Sequence, residues 1–88
     1  MVEIEWIDNL GKNLRRERKS WGMSLRRLAR LSHIDKESIE EIERGINKNP
    51  DFFDMLNICE VLDSSVYFYI KRKKRKNKRW KIKKMIKK

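Results

Sequence analysis

The sequence contains a single cysteine, a single histidine and a single proline among its 88 residues. A lone cysteine, Cys59, excludes an internal disulfide, and a chain without disulfides suits the reducing cytoplasm. The sequence has no zinc-ligand spacing, no glycine-rich phosphate-binding loop and no serine nucleophile elbow. We therefore predict a protein that is not an enzyme and that uses no metal, no cofactor and no small-molecule substrate.

Long hydrophobic runs are also missing. The longest uncharged apolar stretch, residues 64–70, is seven residues long, whereas a membrane-spanning helix needs about 20. The opening residues MVEIEWID are acidic, and a secretory signal would begin with a basic region followed by an apolar one. We expect a soluble, cytoplasmic protein with one small domain, because 88 residues leave no room for a second core.

Acidic residues are absent from residues 71–88, which carry thirteen of the 24 lysines and arginines. Residues 1–70 carry the other eleven basic residues and all thirteen acidic ones, so their net charge is −2. The positive excess of the chain, +11 overall, therefore lies in the C-terminal tail. This division predicts a nearly neutral domain at 1–70 and a cationic tail at 71–88 that suits a polyanion.

The apolar spacing of residues 1–70 is helical, and no stretch of any length alternates with the period of a strand. Ile7, Leu10, Leu14 and Trp21 form the apolar stripe of a first helix, which is predicted to end near Gly22. The later helices are predicted to begin at four capping residues, which are Ser24, Asp35, Asp51 and Ser65. The fold class is therefore all-α, with five helices.

Residues 24–45 read as a helix, SLRRLARLS, a three-residue turn, HID, and a second helix, KESIEEIERG. Apolar residues stand where two crossing helices must touch, and these are Leu28, Ala29, Ile34, Ile39 and Ile42. The small side chain of Ala29 lets the two backbones approach closely. This pattern is that of a helix-turn-helix motif, which leaves the outer face of its second helix free for the DNA major groove.

From Leu10 to about Ile70, the chain resembles the phage-repressor and Cro-like (lambda repressor-like, XRE-type) helix-turn-helix family. The resemblance lies in LGKNLRRER before the motif, GMSLRRLA within it, IEEIERG at its end and NPDFFDMLNICEVLD after it. It implies a compact five-helix domain followed here by the basic tail. It also implies a prokaryotic or phage-type, nucleoid-associated transcriptional regulator, of the repressor kind, that binds double-stranded DNA.

The resemblance implies roles for individual residues. The positions implied to face the bases are Lys36, Glu37, Ser38, Glu40 and Glu41. The positions implied to contact phosphates within the domain are Ser24, Arg44, Asn47 and Lys48. The charge of the tail adds five candidate phosphate contacts, which are Lys71, Arg72, Lys73, Lys74 and Arg75.

Two further positions match structural residues of the family, and two depart from it. Arg18 and Glu43 match a partly buried ion pair that ties the first helix to the third, in which a guanidinium makes two parallel hydrogen bonds to a carboxylate. Leu25 replaces a glutamine that anchors the phosphate backbone in many relatives. His33 replaces a turn glycine at a position where φ is often positive, and histidine tolerates that conformation better than most residues.

Relatives usually bind two half-sites as dimers, which places two recognition helices about 34 Å apart. The apolar run from Val66 to Tyr69 is a candidate face for a homodimer. The same run is also interpreted as a cover for the core. The sequence leaves both interpretations open.

The predicted recognition helix is acidic, because residues 35–44 hold five acidic and two basic side chains. Glutamate can accept a hydrogen bond from cytosine, but it repels phosphates, so the tail is expected to supply the affinity. One alternative is a protein-interaction module, an antirepressor or DNA mimic that uses this helix, and another is RNA binding through the tail. The apolar residues of the tail favour docking or disorder over membrane binding, and these are Trp80, Ile82, Met85 and Ile86.

Overall fold

The computed structural model describes residues 4–71, so the predictions made for the rest of the tail lie outside the described residues. The elements in chain order are α1 (Leu10–Ser20), α2 (Leu25–Ser32), α3 (Lys36–Glu43), α4 (Phe52–Val61) and a 3-10 helix (Val66–Tyr69). Between residues 4 and 71 no strand forms, apart from an isolated antiparallel bridge between Trp6 and Ile70. The all-α class is confirmed, with four α-helices among the described residues.

The fifth predicted helix is a 3-10 helix of four residues, Val66–Tyr69, and not an α-helix. Ser65 caps it as predicted, because its hydroxyl accepts the backbone N–H of Tyr67 at 3.2 Å. The chain then becomes extended at Ile70, with φ −100° and ψ 133°. This extension lets Ile70 pair with Trp6 and leaves no room for a second helical turn.

Side-chain caps begin α2 and α4 as predicted. The Ser24 hydroxyl accepts the backbone N–H of Arg27 at 3.1 Å, and the Asp51 side chain caps α4 in the same way. The prediction for Asp35 is wrong in one respect: it occupies the N-cap position of α3, but its side chain accepts no capping hydrogen bond. Its carboxylate therefore acts at this helix end only through its charge, which favours the positive end of the helix dipole.

The turn between α2 and α3 depends on His33, whose backbone is left-handed with φ 63° and ψ 36°. This conformation ends α2 and lets the backbone N–H of Ile34 reach the carbonyl of Ala29 at 3.2 Å. The prediction of a turn residue with positive φ is confirmed. Gly45, with φ 79°, ends α3 by the same geometry.

The core lies between the helices, because α1 packs on α3 and α2 packs on both α3 and α4. Its buried side chains are Trp6, Leu10, Leu14, Leu28, Ile39, Ile42, Met55, Ile58, Cys59, Leu62, Val66 and Tyr69. Cys59 is only 1% exposed, which confirms that it is a core residue. Burial raises the pKa of its thiol to about 12, so the thiol stays protonated near neutral pH.

Two positions assigned to the first helix behave differently from their prediction. Ile7 precedes α1, and its backbone N–H donates to the carbonyl of Tyr69 at 2.9 Å. Trp21 lies just after α1 with 54% of its surface exposed. Its indole Nε1 donates to the carbonyl of Leu62 at 2.9 Å, so Trp21 covers the end of α4 and is not part of the core.

The segment before α1 runs beside the segment after the 3-10 helix. The backbone N–H of Lys71 donates to the carbonyl of Glu5 at 2.7 Å. Trp6 donates through its indole to the carbonyl of Pro50 at 3.1 Å and stacks on Phe52 with ring centroids 6.3 Å apart. These contacts fasten both ends of the described chain to the start of α4.

Gly11 marks the closest approach of α1 to α3. Gly11 is buried, and a Cβ atom placed on it would collide with the backbone carbonyl oxygens of Ile42 and Glu43. Backbone atoms cannot move aside as the end of a flexible side chain can. The end of α3 can therefore rest against α1 only if residue 11 has no side chain.

Gly11→Ala should lower the free energy of unfolding by about 1–3 kcal/mol, because the new methyl group forces α1 and α3 apart. At an unhindered helical position the same change would stabilise the helix by about 1 kcal/mol. The sign of the effect in urea denaturation is therefore decisive. Lys12→Ala, at the exposed neighbouring position, is the control, and a Gly11→Ala protein more stable than wild type would exclude the close contact.

The free energy of unfolding should fall as the pH rises above 9, because the folded protein holds the Cys59 proton, with a pKa of about 12, that the unfolded chain releases near 9.0. The contribution is complete below pH 9 and is lost as the pH approaches 12. Its slope is about 1.4 kcal/mol per pH unit at most. Urea titrations of wild type and Cys59→Ala between pH 9 and 10 measure it. Equal slopes in the two proteins would contradict this assignment.

Candidate nucleic-acid interface

The outer face of α3 holds the five predicted base-facing residues. Lys36, Glu37, Ser38 and Glu41 are exposed and Glu40 is half-buried. On the opposite face, Ile39 and Ile42 are buried in the core, and each is at most 3% exposed. The helix therefore has one apolar face that fixes it to the domain and one polar face that is open along its length.

Arg18 and Glu43 fix the far end of α3. Arg18 Nε donates to Glu43 Oε2 at 2.8 Å and Arg18 Nη2 donates to Glu43 Oε1 at 2.9 Å, which is the bidentate geometry that the resemblance implied. Both side chains are buried, with 9% and 4% exposed. The third nitrogen, Nη1, donates to the carbonyl of Met23 at 2.7 Å, so the guanidinium joins α1, α3 and the loop before α2. The hydrogen bonds that Arg18 donates to the Glu43 carboxylate raise the pKa of Arg18.

The loop after α3 carries three of the predicted phosphate contacts. The backbone N–H groups of Ile46 and Asn47 donate to the carbonyl of Glu41 at 2.9 and 3.0 Å, which folds this loop back onto α3. Arg44 and Lys48 are exposed. The Asn47 side chain is half-buried, and its oxygen already accepts the backbone N–H of Asn49 at 2.9 Å, which leaves its amide to donate.

The two remaining candidates within the described residues lie elsewhere. Ser24 is exposed at the start of α2, with its hydroxyl oxygen in the capping hydrogen bond to Arg27. Lys71 is the last of the described residues, with Nζ 3.6 Å from Asp8 Oδ1, and half of its side chain is exposed. Four predicted phosphate contacts lie outside the described residues, and these are Arg72, Lys73, Lys74 and Arg75.

The carboxylates on the outer face of α3 are not neutralised by the domain. Glu40 Oε2 lies 3.6 Å from Arg44 Nη1; the side chain of Arg44 is exposed and that of Glu40 is half-buried. A pair of this kind contributes only about 0.3–0.5 kcal/mol. Glu37 and Glu41 form no ion pair with any residue between 4 and 71. The acidic character inferred from the sequence therefore persists in the folded domain.

A cavity of about 300 Å³ adjoins this face, between α1, the start of α2 and the end of α3. Its lining residues are Arg15, Arg18, Leu25, Glu40, Glu43 and Arg44. Arg15 was not among the predicted site residues. Its spacing from Arg18, one turn along α1, could have placed it on this side of the molecule, because residues three apart in a helix are neighbours.

Comparison with known proteins agrees with this geometry. A family model described as a helix-turn-helix domain matches residues 9–66, well over half of the chain. The N-terminal DNA-binding domain of SinR from Bacillus subtilis is 31% identical, over 69% of this chain and 88% of that one, with a TM-score of 0.67. The chain belongs to the XRE-type helix-turn-helix DNA-binding family.

Two other solved structures resemble this helix-turn-helix domain to a similar degree. The restriction-modification controller protein C.AhdI from Aeromonas hydrophila is 30% identical over 68% of this chain and 89% of that one, with a TM-score of 0.64. A structure of SinR, a master regulator for biofilm formation, in complex with DNA is 33% identical over 66% of this chain and 92% of that one, also with a TM-score of 0.64. A search of curated protein sequences found no match.

The run from Val66 to Tyr69 is interpreted from the sequence either as a cover for the core or as a dimer face, and its residues differ in burial. Val66 and Tyr69 are buried and cover the core of the helix-turn-helix domain. Tyr67 and Phe68 point away from it, with 77% and 73% of their surfaces exposed. These two side chains are the part of the run that remains a candidate for a dimer face. No described helix of this domain is long and apolar enough to cross a membrane.

Arg18→Ala should lower the free energy of unfolding of this helix-turn-helix domain by about 3–5 kcal/mol, because it leaves the buried Glu43 carboxylate without its partner. The double variant Arg18→Met, Glu43→Leu should recover most of that loss, since no buried charge remains. Urea denaturation of both proteins measures the difference. A single variant with wild-type stability would show that the pair does not hold α3 to α1.

Proposed function

We propose that this XRE-type chain is a sequence-specific DNA-binding transcriptional regulator, of the repressor kind, that inserts α3 into the major groove. The observation that carries the proposal is the open outer face of α3 on a helix fixed by buried contacts. An α-helix with its side chains is about 10–12 Å across, which fits the major groove, about 12 Å wide. Reading bases requires a helix that is held rigidly and left uncovered in this way.

The base-facing residues of α3 are proposed to be Lys36, Glu37, Ser38, Glu40 and Glu41. Lys36, at the start of the helix, has the chemistry to donate to the acceptors of guanine, and the two unpaired carboxylates can accept from the amino group of cytosine. The hydroxyl of Ser38 can donate or accept. Glu40 is proposed as a flanking contact, since it is half-buried and lies beside Arg44.

Affinity is proposed to come from positive charges around and beyond α3. Within the domain the proposed phosphate contacts are two cations, Arg44 and Lys48, and two neutral hydrogen-bonding side chains, Ser24 and Asn47. The tail adds the larger share, beginning with Lys71, Arg72, Lys73, Lys74 and Arg75. If six to ten of its cations met phosphates, affinity would change by about 10³–10⁵ between 50 and 200 mM salt, which is ample to offset the few carboxylates of α3.

A protein-interaction module, acting as an antirepressor or a DNA mimic, is the second candidate function. The unpaired carboxylates of Glu37 and Glu41 on an exposed helix favour it, because they would attract a basic partner. The tail opposes it, since its charge would repel the same partner. The experiments below separate the two functions, because a DNA mimic binds no duplex.

Selection from a pool of random duplexes at 150 mM salt should enrich a defined sequence, and a palindrome with half-sites about 10 base pairs apart would identify a dimer. On the selected duplex, Glu41→Gln should strengthen binding and change the base preferred at one position, because it removes a repulsive charge at a base-facing site. Fluorescence anisotropy measures both effects. Glu60→Gln removes the same charge from the exposed face of α4 and is the control. Identical behaviour of the two variants would place α3 outside the groove.

Truncation after Lys71 should leave the domain folded, because Lys71 is the last residue bonded to it in the described structure, through Glu5. Binding should weaken greatly, and the slope of log Kd against log salt should become shallower as the phosphate contacts of the tail are lost. The matched control keeps every tail charge but changes its four apolar residues to alanine. A truncated protein with wild-type affinity would remove the tail from the mechanism.

A further inference from the structure

The cavity between α1, α2 and α3 has a neutralised floor and a cationic rim. At its floor, Arg18 and Glu43 satisfy one another through two hydrogen bonds of 2.8 and 2.9 Å. At its rim, Arg15 and Arg44 are exposed. Between residues 4 and 71, Arg15 has no ion pair and its side chain makes no hydrogen bond. Its charge is therefore available to an external anion.

The cavity is continuous with the outer face of α3. Glu40 and Arg44, which line it, lie four and eight residues after Lys36, so the three side chains follow one row along the helix. A DNA strand that borders a groove occupied by α3 would pass this row. The carboxylate of Glu40, in the middle of this row, would repel a phosphate of that strand.

Because Leu25 cannot hydrogen-bond to a phosphate, a phosphate bound at this cavity would need a cation. Leu25 lines the cavity at the start of α2, and its side chain can donate no hydrogen bond to a phosphate. Among the described residues, Arg44 is the only other cation at the rim, and it lies 3.6 Å from Glu40, which reduces its attraction for a neighbouring anion. Binding a phosphate at this rim therefore requires a second hydrogen-bond donor that is not already in an ion pair.

We propose that Arg15 of α1 binds a phosphate of the DNA backbone at the rim of this cavity, opposite Arg44, when α3 occupies the major groove. The inference rests on the proposed DNA-binding function and extends it to a helix outside the helix-turn-helix motif. A guanidinium has the fork of donors that matches two phosphate oxygens. This contact, called the clamp below, would fix the depth and angle of α3 in the groove without contributing to base recognition.

Arg16→Gln is a matched control for Arg15→Gln. Arg16 is the next residue on α1, is exposed, and bonds only to Asn13, at 3.1 Å, within the described residues. It does not line the cavity. Both variants lose one positive charge from the same helix turn, so a general loss of attraction to DNA would affect them equally. A direct phosphate contact would affect Arg15→Gln alone.

The experiment measures the Kd of wild type, Arg15→Gln, Arg15→Lys and Arg16→Gln for the selected duplex and for an unrelated duplex across a salt series. Thermal denaturation of each protein checks that it is folded. Arg15→Gln should weaken binding to both duplexes by similar factors and should reduce the slope of log Kd against log salt by about 0.9, the value for one phosphate. Arg15→Lys should restore the slope but only part of the affinity, and Arg16→Gln should match wild type in slope.

A second measurement locates the phosphate. Duplexes in which single phosphates are replaced by neutral methylphosphonates should reveal one position that weakens wild-type binding and has no effect on Arg15→Gln. Equal losses for Arg15→Gln and Arg16→Gln, or no such position, would overturn the clamp while leaving the DNA-binding function intact. A wild-type protein that binds no duplex would instead refute the function itself, and the clamp with it.

Discussion

The bidentate ion pair between Arg18 and Glu43 is the contact on which the placement of α3 depends. It is buried, it joins α1 to the last residue of α3, and it lies beside the backbone contact that only a glycine at position 11 permits. Replacing such a pair with apolar residues can be neutral, but removing one partner is costly, so both must be present together. With the inner face of α3 held by Ile39 and Ile42, the orientation of its outer face follows.

The outer face of α3 is unusual for a proposed DNA-binding surface, because its negative charge would repel the phosphates of DNA. If α3 enters the groove as proposed, Glu37 and Glu41 would repel phosphates at every DNA sequence, whereas their hydrogen bonds to bases would form only where the bases match. Under the proposed function, the negative charge of α3 would lower the affinity for non-matching DNA sites more than for the matching site. Unfavourable interactions of this kind increase specificity. The tail would then restore affinity without selecting sequence, since phosphate contacts carry no base information.

Screening by salt limits how far the positive charge of the tail can offset the negative charge of α3. At physiological salt, charges separated by more than about 8 Å in solvent interact weakly. Under the proposed function, cations of the tail would therefore have to contact the DNA directly to offset the carboxylates, and the same would hold for Arg15 and Arg44 at the rim of the cavity. On α1, Arg18 points inward and stabilises the domain, whereas Arg15, one turn earlier, is free at the surface. Neighbouring arginines on one helix thus divide between holding α3 and, as proposed, holding the nucleic acid.

The sequence by itself determined the helices, the caps at Ser24 and Asp51 and the left-handed turn at His33, and its resemblance to the family predicted the pairing of Arg18 with Glu43. These follow from residues near one another in the chain, or from a pattern of residue types that the family shares. Contacts between distant segments decided the rest. The pairing of residues 5–7 with residues 69–71 keeps Ile7 outside α1 and limits the last helix to one 3-10 turn. The packing of α1, α2 and α3 against one another forms the cavity that Arg15 lines. Hydrophobic periodicity reports which side of a helix is buried, but it contains no information about which distant segment will cover that side.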